Sequence, residues 1–382
     1  MKRGREKKMV HAVKQGPSGQ QVHTLDGPVV LEGGETLSEV TVAFETWGTL
    51  DAAKGNAILI CHALTGDSHA ASKGEELPGW WETMVGPGRA IDTDRYFVIC
   101  SNVLGGCMGT TGPSSVNPET GRPYGTDFPV VTIGDMVRVQ AALVDYLGIE
   151  RLHAVIGGSV GGMQVLSWCR QFPERVGSGV ALATTMRHSA LSIAFNEVAR
   201  QSILSDPNWN KGHYYGGEKP ALGLSVARMI GHITYLSDDA MHRKFGRRLQ
   251  DRDEFAFDFD AEFQVESYLH YQGAKFVDRF DANSLLYITK AADYFDIEQG
   301  LRESGALGRM AELRHPFLVV SYTSDWLYPT YQNREIVSLF KRYGVDVSFC
   351  EIEASCGHDA FLLPSDRLTT ILTGFLGKGA HA

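Results

Sequence analysis

LHAVIGGSVGGMQVLSW, residues 152–168, is the stretch on which the fold turns. The run 152–156 is short and apolar, as a strand is, and a helix-compatible run opens near Gly161. Between them Gly157, Ser159 and Gly161 spell G-x-S-x-G at a strand-to-helix turn, the setting that gives this motif meaning. A turn that sharp forces the serine into strained backbone angles and lifts its hydroxyl off the sheet. Bulky neighbours would clash there, so small residues flank it. The helix behind it aims free N–H groups and the positive end of its dipole at the turn. Ser159 is therefore the candidate nucleophile.

Working outward, 56–61 (NAILIC) and 96–100 (YFVIC) are continuous apolar runs, as expected of strands buried on both faces. Residues 40–47 (VTVAFETW) alternate and read as an early antiparallel strand. Thr132-Ile-Gly-Asp135 resembles a capping box and opens a helix to about Tyr146, with Met136, Val139, Leu143 and Tyr146 on one face and Gly148 as its stop. Residues 179–183 form the next strand. From about Met186 to Leu307 strand-like runs become scarce and the period turns helical, as over 221–236 and 284–295. Alternation then returns: a strand 317–322, a helix 332–342, a strand 347–352 and a last helix 365–376. The expectation is an α/β chain with a mainly parallel sheet flanked by helices. It divides into a flexible basic tail (1–20), a core (21–185), a helical lid insertion (186–310) and the rest of the core (311–382). No internal repeat interrupts this order.

At 382 residues the chain is long enough for a core domain plus an insertion. A net charge of −9 argues against nucleic acid or an anionic membrane as the main partner. No apolar run approaches the roughly 20 residues a membrane helix needs. The basic N-terminus lacks the apolar core of a signal peptide. Six cysteines, none in C-x-x-C, fit a reducing cytoplasm. Thirteen histidines show no ligand spacing, so no metal is expected. The glycine-rich loop 105–113 lacks the Lys-Ser/Thr ending of a phosphate cradle.

A serine hydroxyl needs a base, and the base needs an acid to fix its tautomer. In such a sheet ligands sit at the carboxyl ends of the strands. Asp325 follows strand 317–322 and His358 follows strand 347–352, with Glu353 and Asp359 as rival acids. The order Ser159, Asp325, His358 resembles that of the α/β-hydrolase architecture, whose lids fall where this helical insertion falls. The oxyanion needs two N–H donors. Val160, after the nucleophile, supplies one; Leu64 or a neighbour, in the loop after strand 56–61, supplies the other. His62 in that loop is read as structural. These residues make a serine acyl-transfer enzyme and leave the acceptor open.

With the elbow written as GGSVGGMQ, the chain resembles the homoserine O-acyltransferases of methionine biosynthesis, within the α/β-hydrolase superfamily. The likeness runs from about Val40 and includes HALTGDSH (62–69), the run 78–113, ARMIGHITYLS (227–237) and GHDAFL (357–362). Family members often carry Met or Leu where Val160 stands. The resemblance implies transfer of acetyl from acetyl-CoA, as co-substrate with no resident cofactor, through an acyl-Ser159 intermediate to L-homoserine. It places substrate binding at Arg228, Tyr235 and Asp359, with Thr65 beside the oxyanion loop. A zwitterion agrees with that set: a guanidinium grips its carboxylate and an aspartate its ammonium. The resemblance also implies a homodimer paired through the helical layer. A succinyl donor, a serine acceptor, or an esterase using water remain the alternatives; a succinyl donor would want an extra cation.

Overall fold

The computed structural model describes residues 14–15, 19–74 and 78–378. The central sheet holds β1 (Lys14–Gln15), β2 (Gln21–Thr24), β3 (Thr41–Trp47), β4 (Ala57–Cys61), β5 (Phe97–Ser101), β6 (Ala154–Gly158), β7 (Gly179–Leu182), β8 (Phe317–Tyr322) and β9 (Val347–Ile352). Their spatial order is β1-β2-β3-β5-β4-β6-β7-β8-β9. The pairs β1–β2, β2–β3 and β3–β5 are antiparallel, and every pair from β5 to β9 is parallel. The chain builds outward from β4 to β5 and then crosses back to set β6 on the other flank. That reversal leaves a crevice above the carboxyl ends of β4 and β6, where open α/β sheets bind their ligands.

The continuous apolar runs are explained by cover on both faces. Leu59, Cys61, Val155, Ala181 and Val319 point into one core, while Ile58, Ile60, Ile156, Val180 and Val320 point into another. The first face is covered by α1 (Ile133–Tyr146) and α2 (Val160–Gln171), joined later by α10 (Thr330–Arg342). On the second lies α11 (Asp366–Lys378), through Leu368, Leu372 and Leu376. The α1 capping box is formed: Thr132 accepts from the Asp135 N–H and Asp135 from the Thr132 N–H. Such a cap stabilises by about 1 kcal/mol. Gly148, at φ +68°, takes up the left-handed turn after the helix.

Between β7 and β8 the chain runs through α3 (Ala190–Leu204), α4 (Ala221–Tyr235), α5 (Asp238–Lys244), α6 (Gln264–Arg279), α7 (Ala282–Tyr294), α8 (Ile297–Ser304) and α9 (Ala306–Glu312). Helix α4 packs between α3 and α6, and α3 also meets α7. Ile203, Leu224, Phe276 and Leu285 extend the first core into these helices.

One reading needs correcting, and another falls mostly outside the described residues. The strand expected over 152–156 is observed at Ala154–Gly158, because both glycines stay in the ladder: Gly157 pairs with Cys61 and Gly158 with Leu182. A β-carbon at 158 would lie 2.4 Å from the Phe361 ring, so glycine here marks crowding within a strand, not its end. The tail expected over 1–20 lies mostly outside the described residues. Its Lys14–Gln15 piece nonetheless pairs with Gln21–Val22, and Gln20 bonds Ser68 Oγ and Met108 O.

Candidate active site

Ser159 sits between β6 and α2 at φ 59°, ψ −125°, a backbone region that L-residues disfavour. The surroundings over-determine it. Its N–H donates to Leu182 O at 2.9 Å, and its carbonyl accepts from Thr184 Oγ1 at 2.7 Å. Gly161 lets α2 approach β4: a β-carbon there would lie 2.1 Å from Cys61 O. The spacing of the motif is thus set by the contact between two backbones.

His358 and Asp325 leave the ends of adjacent strands, since β8 and β9 pair up to Tyr322 and Ile352. His358 Nδ1 lies 2.8 Å from Asp325 Oδ2, and His358 Nε2 lies 2.8 Å from Ser159 Oγ. The other Asp325 oxygen accepts from the N–H groups of Leu327 (3.0 Å) and Tyr328 (2.9 Å). An ionised carboxylate only accepts, so Nδ1 carries the proton and Nε2 is left to receive the serine's. Burial pulls the His358 pKa down, but the charge and hydrogen bond of Asp325, helped by Asp359, outweigh it and leave the pKa raised. The imidazole is therefore a better proton acceptor than a bare buried one. Glu353, the other rival acid, is exposed.

Val160 is the first residue of α2, where an N–H has no carbonyl partner within the helix. It faces Ala63, Leu64 and Thr65 across the cavity. That loop is tied down from three sides. Gln164 Nε2 donates to His62 O (3.2 Å) and Arg279 to Thr65 O (2.9 Å), while His62 itself bonds backbone at both ring nitrogens, Ala63 O (2.8 Å) and the Val103 N–H (3.2 Å). With both nitrogens engaged, and burial lowering its pKa, His62 is a brace for the loop.

The cavity above Ser159 encloses about 160 Å³. Arg228, Tyr235, Thr65 and Asp359 all line it. Arg228 Nη1 donates to Thr65 Oγ1 at 3.2 Å, and its guanidinium lies 4.7 Å from the centre of the Phe276 ring and 5.8 Å from that of Tyr235. Asp359 forms no hydrogen bond or ion pair among the described residues. Burial raises its pKa, opposed by the charges of His358 and Arg228. Among the described residues, then, a guanidinium hydrogen-bonded only to a neutral hydroxyl and a carboxylate without a bonded partner line one small space. Among the described residues, no group of three or more His, Cys, Asp or Glu is placed to hold a metal ion.

Residues 56–364 match the family model of the alpha/beta hydrolase fold. The chain is 60% identical over 354 residues to a homoserine O-acetyltransferase of Desulfotalea psychrophila, covering 91% of each sequence. The chain belongs to the homoserine O-acetyltransferase family. Among solved structures, homoserine O-acetyltransferase from Bacillus anthracis matches with a TM-score of 0.85 at 31% identity, over 94% of this chain and 97% of that one. Esterase E22 matches with 0.83 at 30% identity, over 94% and 100%.

For a member of the homoserine O-acetyltransferase family, the cavity holds further residues that the sequence alone did not single out. His188, Asn196 and Tyr328 line the cavity, and Phe276 lies under Arg228. Two of them carried a signal: His188 follows the carboxyl end of β7, and Tyr328 stands three residues after Asp325. Asn196 and Phe276 lie within helices, where the helical period marks a face but not what the face meets.

Proposed function

We propose that this chain is a homoserine O-acetyltransferase that works through an acyl-Ser159 intermediate. The carrying observation is that Arg228 and Asp359, which are not bonded to each other, line the same cavity as the hydrogen-bonded Ser159 and His358, a site complementary to a zwitterionic amino alcohol. Ser159 Oγ attacks the thioester carbonyl of acetyl-CoA and passes its proton to His358 Nε2. The oxyanion takes hydrogen bonds from the N–H groups of Val160 and Leu64. Collapse breaks the C–S bond, and the departing sulfur takes the proton from His358. The hydroxyl of L-homoserine then attacks the acyl ester, giving its proton to Nε2. Collapse returns that proton to Ser159 Oγ and releases O-acetyl-L-homoserine. Arg228 grips the carboxylate and Asp359 the ammonium, with Tyr235 and Thr65 completing the wall.

Among the described residues, Arg228 is the one Lys or Arg lining the cavity. Once it binds the acceptor's carboxylate, none is left for the distal carboxylate of a succinyl donor, which favours acetyl. The likeness to an esterase on the same scaffold makes water the serious rival. Acetyl-CoA serves as co-substrate, with no resident cofactor. A second copy pairs through the helical layer, where Leu191, Val198, Leu222 and Ile233 are exposed; light scattering tests this. Among the described residues no helix is long and apolar enough to cross a membrane, and all six cysteines are free, which supports a reducing, cytoplasmic setting.

One assay tests the reading: release of CoA from acetyl-CoA and from succinyl-CoA, each with homoserine, serine or water as acceptor. Acetyl-CoA with homoserine is expected to be the fastest combination. Equal release with water alone would replace the transferase by an esterase.

A further inference from the structure

His188, which lines the cavity, is bonded behind that lining to Asp293, a second histidine–aspartate pair that the transfer reaction leaves without a role. His188 has a side chain 3% exposed. Its Nδ1 lies 2.9 Å from Asp293 Oδ1 on α7, and its Nε2 lies 2.7 Å from the Tyr328 hydroxyl. Two side chains of α3 hold Asp293: Asn196 Nδ2 on Oδ1 and Arg200 Nη1 on Oδ2, both at 2.7 Å. Burial pushes the Asp293 carboxyl up, but the bonds from His188, Asn196 and Arg200 outweigh it and keep the group below the usual range.

The proton inventory follows. Asp293, held below the usual range, accepts from the Nδ1–H of His188, and Nε2 is then the atom that accepts from the Tyr328 O–H. Tyr328 has one proton, and it is committed to His188. Burial, with the charges of Asp325 and Asp293, pushes the phenol pKa up against the opposing pull of the nearby Ser159 hydroxyl, so that proton stays on. Tyr328 touches the triad in other ways as well. Its N–H donates to Asp325 Oδ1 at 2.9 Å, its ring stands edge-on to His358 with centroids 5.1 Å apart, and it lines the cavity with Ser159. A phenol there with its proton free would donate to the Ser159 oxygen and tie up a lone pair the attack needs.

We propose that His188 and Asp293 form a positioning pair whose work is to hold the Tyr328 proton away from Ser159. The helical layer would then prepare the nucleophile besides lining the cleft. This rests on Ser159 being the acylated residue, so each variant is read twice: by the burst of CoA from acetyl-CoA and by labelling of Ser159 with a fluorophosphonate. A parent that labels but gives no burst defeats the acetyl-CoA reading and leaves the labelling series to judge this one.

Asp293→Asn is the decisive change. Its amide, with the oxygen kept on Arg200 and the Asn196 amide turned over so that its oxygen accepts, donates to His188 Nδ1. The ring proton moves to Nε2, which now donates to the phenol and turns the phenol proton toward Ser159. Reversal of a catalytic histidine's tautomer costs about 10⁴-fold, and this indirect one is expected to slow acylation by about 30-fold, with both KM values within about twofold. Tyr328→Phe alone, which loses an anchor but no proton donor to Ser159, should slow it by about three- to fivefold. The double variant should recover to the level of Tyr328→Phe. Asp293→Asn acylating at the parent rate, or a double variant no faster than Asp293→Asn, overturns the proposal. Should Asp293→Asn fail to fold, Tyr328→Phe decides alone: a loss beyond about tenfold would mean that the hydroxyl itself takes part in the chemistry, and the proposal falls.

Discussion

The sheet edge and the helical layer face each other across one small cavity, and each holds a buried aspartate bonded to a histidine. On the sheet side, Asp325 is fixed by two backbone N–H groups that follow it in its own loop, and its histidine meets a serine. On the helical side, Asp293 is fixed by side chains reaching from another helix, and its histidine meets a phenol. Backbone donors hold an acid in a place that local folding dictates, and side-chain donors make the second arrangement depend on how the helices pack. The contrast suggests a division of labour. Under the proposed function the sheet edge would perform acyl transfer, and the helical layer would choose the acceptor and keep the nucleophile available.

The largest effects should come from the sheet edge and strike both halves of the reaction. Ser159→Ala is expected to lower turnover by about 10⁶-fold and Asp325→Asn by about 10⁴-fold, with the burst of CoA lost in each. A burst surviving in Ser159→Ala would end the comparison. On the helical side, Arg228→Ala should raise the homoserine KM about 100-fold, the scale of a lost charge-assisted bond, while the burst from acetyl-CoA persists. Unchanged homoserine kinetics would remove Arg228 from the acceptor site.

Asp359→Asn sharpens the boundary through pH. The acid limb of kcat/KM for acetyl-CoA reports the His358 base, which works when neutral. Asp359 is one of the charges that raise the His358 pKa, so removing it lowers that pKa and the limb should move to lower pH. A limb moving upward would contradict the arrangement. The smallest effect is structural: Thr184→Val deletes the bond to Ser159 O and should cost about 1 kcal/mol, read as a melting temperature about 1 °C lower.

Much of the sheet side was legible because its signals are local. G-x-S-x-G needs only the strand before it and the helix after it, and Asp325 and His358 each follow a strand that its apolar run reveals. The elbow strand was placed two residues early because Gly157 and Gly158 look like a turn; the contacts that demand glycine there, Gly161 and the Phe361 ring, are remote in sequence or hidden by the fold. The helical side was legible only by resemblance. A helix of period 3.6 shows which residues share a face, but not that the Arg228 face closes on Thr65 or that Asp293 reaches His188, since those meetings depend on packing.

The backbone angles of Ser159 have a consequence for heat resistance. Glycine adopts positive φ without penalty, whereas a residue with a β-carbon held there gives up about 1–3 kcal/mol. A chemically silent Ser159→Gly chain should therefore melt above the working enzyme, leaving a sturdier scaffold in which both substrates could be trapped side by side.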